Sequence, residues 1–424
     1  MRSIRTARYW PALIAAFASL AALAVPAAET PGTNPDPAHS EKVDSGKGDP
    51  DQESAFRFRF VGPKVGNRIA AVAGVAGDAS VYYAGAASGG VWKSIDGGNR
   101  WQPVFDKESA AAIGSLAVAP SQPGTVWAGT GEAWTIRDSD VTGNGIYKST
   151  DAGRTWKNMG LPEAGRIGRI IVHPTDPNIV FACVLGRTTG PQQQRGVFRS
   201  ADGGERWERV LFAGEKVGCS GLSMDGHDPR TLIAGMWQVE MHTWGEYSGG
   251  PGSGIYISHD GGTTWKRLEK HGLPDPPLGK IDVAIAPTNS ARIYALVQTR
   301  DQGSVWRSDD AGKNWKLVNS DRSLIGRAGY YIRIAVSTGA DTEVLVANSS
   351  FHQSLDSGET FHEVHWGGDT HDIWIDPRDP DRFVITDDGG MLITTVHGRG
   401  FHQVTLPIGQ MYHVDVDEQI PYYF

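Results

Sequence analysis

The sequence lacks a basic excess. Forty Lys and Arg stand against 48 Asp and Glu, for a net charge of -8. Nothing in that balance neutralises a phosphate backbone, so a nucleic-acid partner is excluded. Beyond the first 25 residues no apolar run is long enough to span a bilayer. The remaining apolar runs are also too short for helices, and Gly and Pro interrupt them. A Gly-rich phosphate loop, a nucleophile elbow and a zinc-binding helix motif are all missing. Cysteine is scarce: Cys183 and Cys219 are the only two. Both fall in expected strands of neighbouring repeats. In an exported protein such a pair can oxidise to a disulfide, and the other reading is two buried apolar thiols.

What is present begins with an export signature. Residues 1–28 carry Arg2, Arg5 and Arg8, then an apolar Ala- and Leu-rich run, then small residues at 25–27. This reads as a secretory signal peptide, the rival being a membrane anchor that is short for a span. The expected location is exported, periplasmic or secreted, with no stable membrane span after cleavage. Residues 29–55 are polar and rich in Pro, Gly, Asp and Lys, which predicts a disordered linker. Order is expected from about Phe56 onward.

The rest of the chain is organised by one octapeptide. Residues 149–156 read STDAGRTW, and the pattern S-x-D-x-G-x-x-W recurs as SIDGGNRW, SADGGERW, SHDGGTTW and SDDAGKNW. A sixth copy, SLDSGETF, replaces Trp with Phe361, and a worn seventh, TTVHGRGF at 394–401, has Val396 in place of Asp. Successive copies start 55, 51, 58, 50, 46 and 40 residues apart. Repeats at such periods indicate a propeller, solenoid or array. Gly permits a positive φ, Ser and Asp hydrogen-bond to nearby backbone, and Trp covers the hairpin. Asp96, Asp151, Asp202, Asp260, Asp310 and Asp356 are therefore read as structural, not catalytic.

One repeat resolves into four strands. In the third, apolar segments at 167–173 and 179–185 flank a Pro174 turn. A third strand at 196–200 leads into the box, and 207–212 follows it. The expected fold class is all-β: a β-propeller of about seven four-stranded blades with Asp-box hairpins over 56–409. The alternative is an open solenoid. Residues 410–424 read as the start of a further repeat or as ring-closing strands, and 56–60 can serve as a d strand pairing with the last blade. With strands lettered a to d, the boxes lie in c–d turns beside the a–b turns. The d–a and b–c loops then share the opposite face, where function is expected.

The boxes are Asp-box repeats, also called bacterial neuraminidase repeats. Residues 85–94 (GAASGGVWKS), 248–256 (SGGPGSGIY) and 374–377 (WIDP) extend the resemblance to exported bacterial propellers grouped with the sortilin N-terminal domain and the xyloglucanases. That group implies the fold over 56–424 more strongly than an activity. Xyloglucanases of this type resemble two facing propellers, each giving one catalytic Asp. The stretch matching the first of these carries Ala87 at the Asp position. Alanine can act as neither acid nor base. Sialidases share the box, and Arg166, Arg169, Arg327 and Arg333 with Tyr330 and Tyr331 could mimic their site, but the early Arg-Ile-Pro motif is missing.

Two long b–c loops on the expected functional face set Trp beside Glu: Glu132, Trp134, Arg137 and Asp138 in blade 2, and Glu240, His242, Trp244, Glu246 and Tyr247 in blade 4. Such pairs can hold a sugar ring or a peptide. They can equally form the loop's own small core. In blade 7, Asp369, His371 and Asp372 precede strand a, and Asp387 and Asp388 follow strand b. Asp369, His371, Asp387 and Asp388 could ligate Ca2+ or Mg2+, or simply form a hydrogen-bonded turn cluster. The sequence marks no other cofactor. The leading expectation is an exported module binding a glycan or protein ligand, with no catalytic residue. The rival is a glycan hydrolase using the carboxylates of the long loops. A third is a subunit of a larger cell-envelope assembly.

Overall fold

A computed structural model describes residues 67–133, 142–366 and 368–409. The chain divides into Met1–Phe58 and Arg59–Phe424, and all described residues lie in the second unit. The expected signal peptide, linker, closing strand at 56–60 and terminal segment 410–424 fall outside the described residues.

Seven antiparallel blades of four strands occupy 69–103, 113–158, 167–211, 217–268, 281–319, 333–364 and 372–404, the fourth carrying a fifth strand off its main path. In each, strands a to d follow one another in chain order. The third blade shows how closely the pattern is obeyed: its strands are Ile167–Val172, Val180–Val184, Gly196–Ser200 and Glu208–Leu211. Strands a are buried on both faces, as Ile69–Val75 is throughout, whereas strands d are exposed, as at Gln102–Pro103. Each strand a packs on the next around the ring, and the last, Asp372–Asp376, packs on the first. Apolar side chains fill the seams between blades rather than one central core. Trp127 and Ile146 of blade 2 meet Ile170 and Val180 of blade 3, and the other six seams are filled alike.

Among the described residues, blades 1 and 7 are each complete with four strands of their own. Blade 7 supplies its own fourth strand, His402–Val404, and blade 1 its own, Gln102–Pro103. Side chains make the closure. Asp372 accepts from Val72 N–H, Asp376 accepts from Gly77 N–H, and Arg382 donates to Asp376 and to the Val75 and Asp78 carbonyls.

Each box has one geometry. In blade 2, Ser149 Oγ donates to Asp151 Oδ1 and accepts from Gly153 N–H at 2.8 Å, and Asp151 accepts from Thr155 N–H at 2.9 Å. The two residues after the Asp position are left-handed in all seven copies, as Ala152 (φ 60) and Gly153 (φ 87) show. Glycine at the second is enforced by packing. A Cβ on Gly204 would come within 2.5 Å of Trp127, and one on Gly262 within 2.6 Å of Phe181. Each box thus lies on the preceding blade. The seventh copy keeps only the hydroxyl half: Thr394 accepts from Gly398 N–H, and Val396 is exposed. His397 instead bridges Glu343 and Asp381, at 2.9 and 3.2 Å.

Cys183 of strand b in blade 3 and Cys219 of strand a in blade 4 form a disulfide, with Cα atoms 5.1 Å apart. It crosses a seam that is otherwise apolar.

Candidate functional site on the loop face

The axis of the ring is filled by charge. Arg169 in strand a of blade 3 reaches Asp372 (3.4 Å) and Asp282 (4.0 Å), and Arg333 reaches Asp372 (3.8 Å). Arg333 also donates to the carbonyls of Gly168 and Ser220. Asp282 accepts from Ile334 N–H and Asp372 from Val72 N–H, each across a blade seam. These groups pair across the axis and stitch strands a together. Arg169 and Arg333 are thus committed to carboxylates of the chain itself, and Arg166 is buried with Nη1 toward the Gly186 carbonyl. This is not a free triad for a ligand carboxylate.

Above the axis, the d–a and b–c loops converge on Arg68, the residue just before strand a of blade 1. Its guanidinium pairs with Glu132 from the blade 2 loop and with Asp388 from the blade 7 loop, the latter at 3.1 Å. Its face lies 5.0 Å from the Tyr330 ring centroid. His371 Nε2 stands 3.5 Å from Asp388, while Nδ1 donates to the Ile69 carbonyl at 2.9 Å. Burial, with Arg68 nearby, pulls the His371 imidazole down to about 3, so it is neutral. Burial raises the carboxyls of Asp387 and Asp388. Ala87 is buried here with Ala70, Tyr330 and Tyr331.

The blade 7 residues come together only in part. Asp388 and His371 meet, but Asp369 turns to Arg327 (3.7 Å), and Asp387 accepts from Gly389 N–H. Among the described residues no three His, Cys, Asp or Glu side chains are grouped to hold a metal ion. The expected Ca2+ or Mg2+ quartet of Asp369, His371, Asp387 and Asp388 is therefore not assembled. Two of its carboxylates face arginines instead, Asp388 pairing with Arg68 and Asp369 with Arg327, and those positive charges disfavour a cation. Glu132 was expected on an open loop and is instead 8% exposed. Trp134, Arg137 and Asp138 lie outside the described residues.

The blade 4 insertion is not an irregular loop. Strand b runs on as Leu232–His242 and pairs with Gly245–Ser248, so Glu240 faces Tyr247 and His242 faces Gly245 across a two-residue turn. Trp244 at the tip is 75% exposed and Tyr247 59%. The Trp244 ring stacks on His242 at 4.7 Å, nearly parallel, and Tyr247 meets the same imidazole edge-on at 5.4 Å. Below them Glu240 holds Lys216 (2.7 Å) and His242 (3.1 Å); the hydrogen bond from Lys216 keeps its carboxyl low. Glu246 leans against the blade 6 turn, where a Cβ on Gly329 would come within 2.9 Å of it. Lys280, buried beneath, donates to the Tyr330 carbonyl at 2.9 Å and lies 4.8 Å over the Trp237 ring. Its burial, with Arg333 nearby, lowers it to about 7. Arg68 and Lys280 have no motif signal in the sequence. Their position just before a strand a is the only clue that they reach this face.

The seven boxed blades define the chain as an Asp-box β-propeller, and residues 256–267 match the BNR/Asp-box repeat family. Its relatives give the next level. A xyloglucanase of Paenibacillus sp is 27% identical over 251 residues, 58% of this chain and 20% of that enzyme. The structure of an ancestral GH74 enzyme superposes with a TM-score of 0.52 at 17% identity, over 79% of this chain and 48% of that one. YCF48 bound to D1 peptide superposes with a TM-score of 0.51 at 16% identity, over 78% of this chain and 94% of that one. The solved structures share its propeller fold, and the sequence likeness is to part of the xyloglucanases. The chain spans 20–30% of the length of the curated xyloglucanases it matches. No helix among the described residues is long and apolar enough to cross a membrane.

Proposed function

We propose that this chain recognises a glycan on its d–a and b–c loop face, as a hydrolase-type propeller whose substrate-holding surface is the blade 4 hairpin. One observation carries the reading: Trp244 stands three-quarters exposed, held flat by His242 and flanked by Tyr247. A rigid aromatic face beside Glu240 and Lys216 offers both stacking and hydrogen bonding to a sugar ring. The xyloglucanase relatives weigh toward a β-glucan and toward the hydrolase side of the two expectations. Export to the periplasm or medium, where such a polymer is met, accompanies this reading. Titration with xyloglucan oligosaccharides, followed by Trp fluorescence, tests it. Binding that survives Trp244→Ala unchanged refutes the platform.

Hydrolysis is the second reading, and one arrangement favours it. A single guanidinium holds Glu132 and Asp388, which keeps the two carboxyl groups within roughly the 5–10 Å over which glycosidase pairs work. Asp388, raised by burial, suits a general acid, and Glu132 a base. Arg68 would have to swing aside to admit the glycosidic oxygen and a water. Ala87 supplies no carboxylate of its own.

A further inference from the structure

A groove follows the outer edge of blade 4, from the blade 5 box up to the d–a connection at 269–278. Strand d there, Lys266–Leu268, ends its sheet and pairs on one side only, with Gly254–Ser258. Two cavities flank it and share Arg267, Leu268, Glu269, Lys270 and Leu273. The lower, of about 590 Å³, reaches the blade 5 box at Trp315. The upper, of about 180 Å³, reaches Ile255, Pro274 and Leu278. Together they run the length of the strand. Their floor is apolar, through Ile257, Leu268, Leu273 and Trp315.

The two ends differ in charge. Lys266, Lys270 and Lys313 are exposed around the lower cavity, with His259 and His271 beside them. None of the three lysines makes an ion pair with a described residue, whereas Glu269 is already held by Arg267 at 3.2 Å. On a chain of net charge -8 this is a local excess of positive charge. At the upper end the groove is lined by Leu278 and Pro274, with Asp275 at its lip. Lys270 and His271 are both left-handed, at φ 63 and 51. Two such non-glycine residues in sequence are strained, and strain of this kind gathers at binding sites.

We propose that this groove binds an extended peptide segment of a partner protein, acidic at the end near the blade 5 box and apolar at the end near Leu278. The peptide adds as a fifth strand to blade 4, with backbone hydrogen bonds to the open edge of Lys266–Leu268. Its carboxylates meet Lys266, Lys270 and Lys313, and a terminal aliphatic or aromatic side chain enters the upper cavity. An anionic polysaccharide would use the lysines but would leave the apolar floor wet, so the floor favours a peptide. The groove is separate from the Trp244 platform, and glycan recognition does not depend on it.

The test uses fluorescein-labelled decapeptides with alternating Val and Thr, three Glu at one end and Leu at the other, in both directions. One direction should bind saturably to the purified protein. The double variant Lys266→Glu, Lys270→Glu should weaken it by roughly tenfold or more, and raising salt from about 50 to about 300 mM should weaken it several-fold. Both lysines are exposed, and circular dichroism confirms that the variant is folded. Trp244→Ala should leave peptide binding unchanged, which separates this site from the Trp244 platform. The proposal is overturned if neither peptide binds saturably, if the double variant binds equally, or if polygalacturonate binds the groove in the peptide's place.

Discussion

Lys148 of blade 2 donates its ammonium to the Gly203 carbonyl of the blade 3 box, at 2.9 Å. The residue just before the box Ser does this elsewhere in the ring: Lys93 reaches the Ala152 carbonyl and Arg307 the Ser357 carbonyl. Each of these three boxes is gripped by the blade before it. Each fixes both its own turn and the seam.

Asp151→Ala leaves Thr155 N–H without its acceptor and should cost about 1 kcal/mol, near the lower end for a lost hydrogen bond because water reaches the site. Thermal melts should show the loss, and glycan binding below the melt should not change.

The same carboxylates set an acid limit. Hydrogen bonds from Thr360, Thr264 and Asn314 hold Asp356, Asp260 and Asp310 at about 2, below the ordinary carboxylate value. Their contribution is full above about pH 4 and is lost as pH falls through about 2. His371 adds to this from higher pH. Folded it binds its proton only near pH 3, whereas unfolded it does so near 6.5, so stability falls between these values on acidification. His371→Gln should flatten the melting temperature between pH 6.5 and 3 and leave the steeper loss below 4.

Arg382 and Asp376 form an ion pair with side chains 1% and 0% exposed. Asp376→Asn removes one charge and leaves the other buried, which should cost about 3–5 kcal/mol in urea unfolding. A cost below 1 kcal/mol would mean that the blade 1 to blade 7 seam does not rest on this pair.

The disulfide closes a loop of 36 residues. Chain-entropy reasoning gives about 3–4 kcal/mol for that length. The unfolded protein should show no thiol without reductant, and Cys183→Ala with Cys219→Ala should lower the melting temperature by several degrees.

Reducing-end release from a β-glucan panel separates the two readings of the loop face. Binding without turnover fits a site in which Arg68 occupies the space between Glu132 and Asp388. Turnover that disappears in Asp388→Asn, with binding retained, would establish the second reading.

The blades were legible because their signals are local: an octapeptide turn, strands of period two and proline turns repeat in register. The seventh box could be found from its spacing although Val396 had replaced the Asp. The site was less legible because its parts come from different blades. Arg68 and Asp388 are 320 residues apart, and no local pattern marks Arg68 as the cation that pairs with both Glu132 and Asp388. The blade 4 aromatics were visible as residues, but their loop reads as irregular until Glu240 and Tyr247 are seen paired in a hairpin.

The seam between blades 7 and 1 has a topological consequence. Asn67 accepts from Leu406 N–H at 2.9 Å, so the two ends of the described ring are already neighbours, and among the described residues no sheet crosses between them. A ring of self-contained sheets has no first blade except by numbering. A circularly permuted chain, opened at any other d–a connection and joined across this seam, would inherit the same seven sheets and the same seven interfaces.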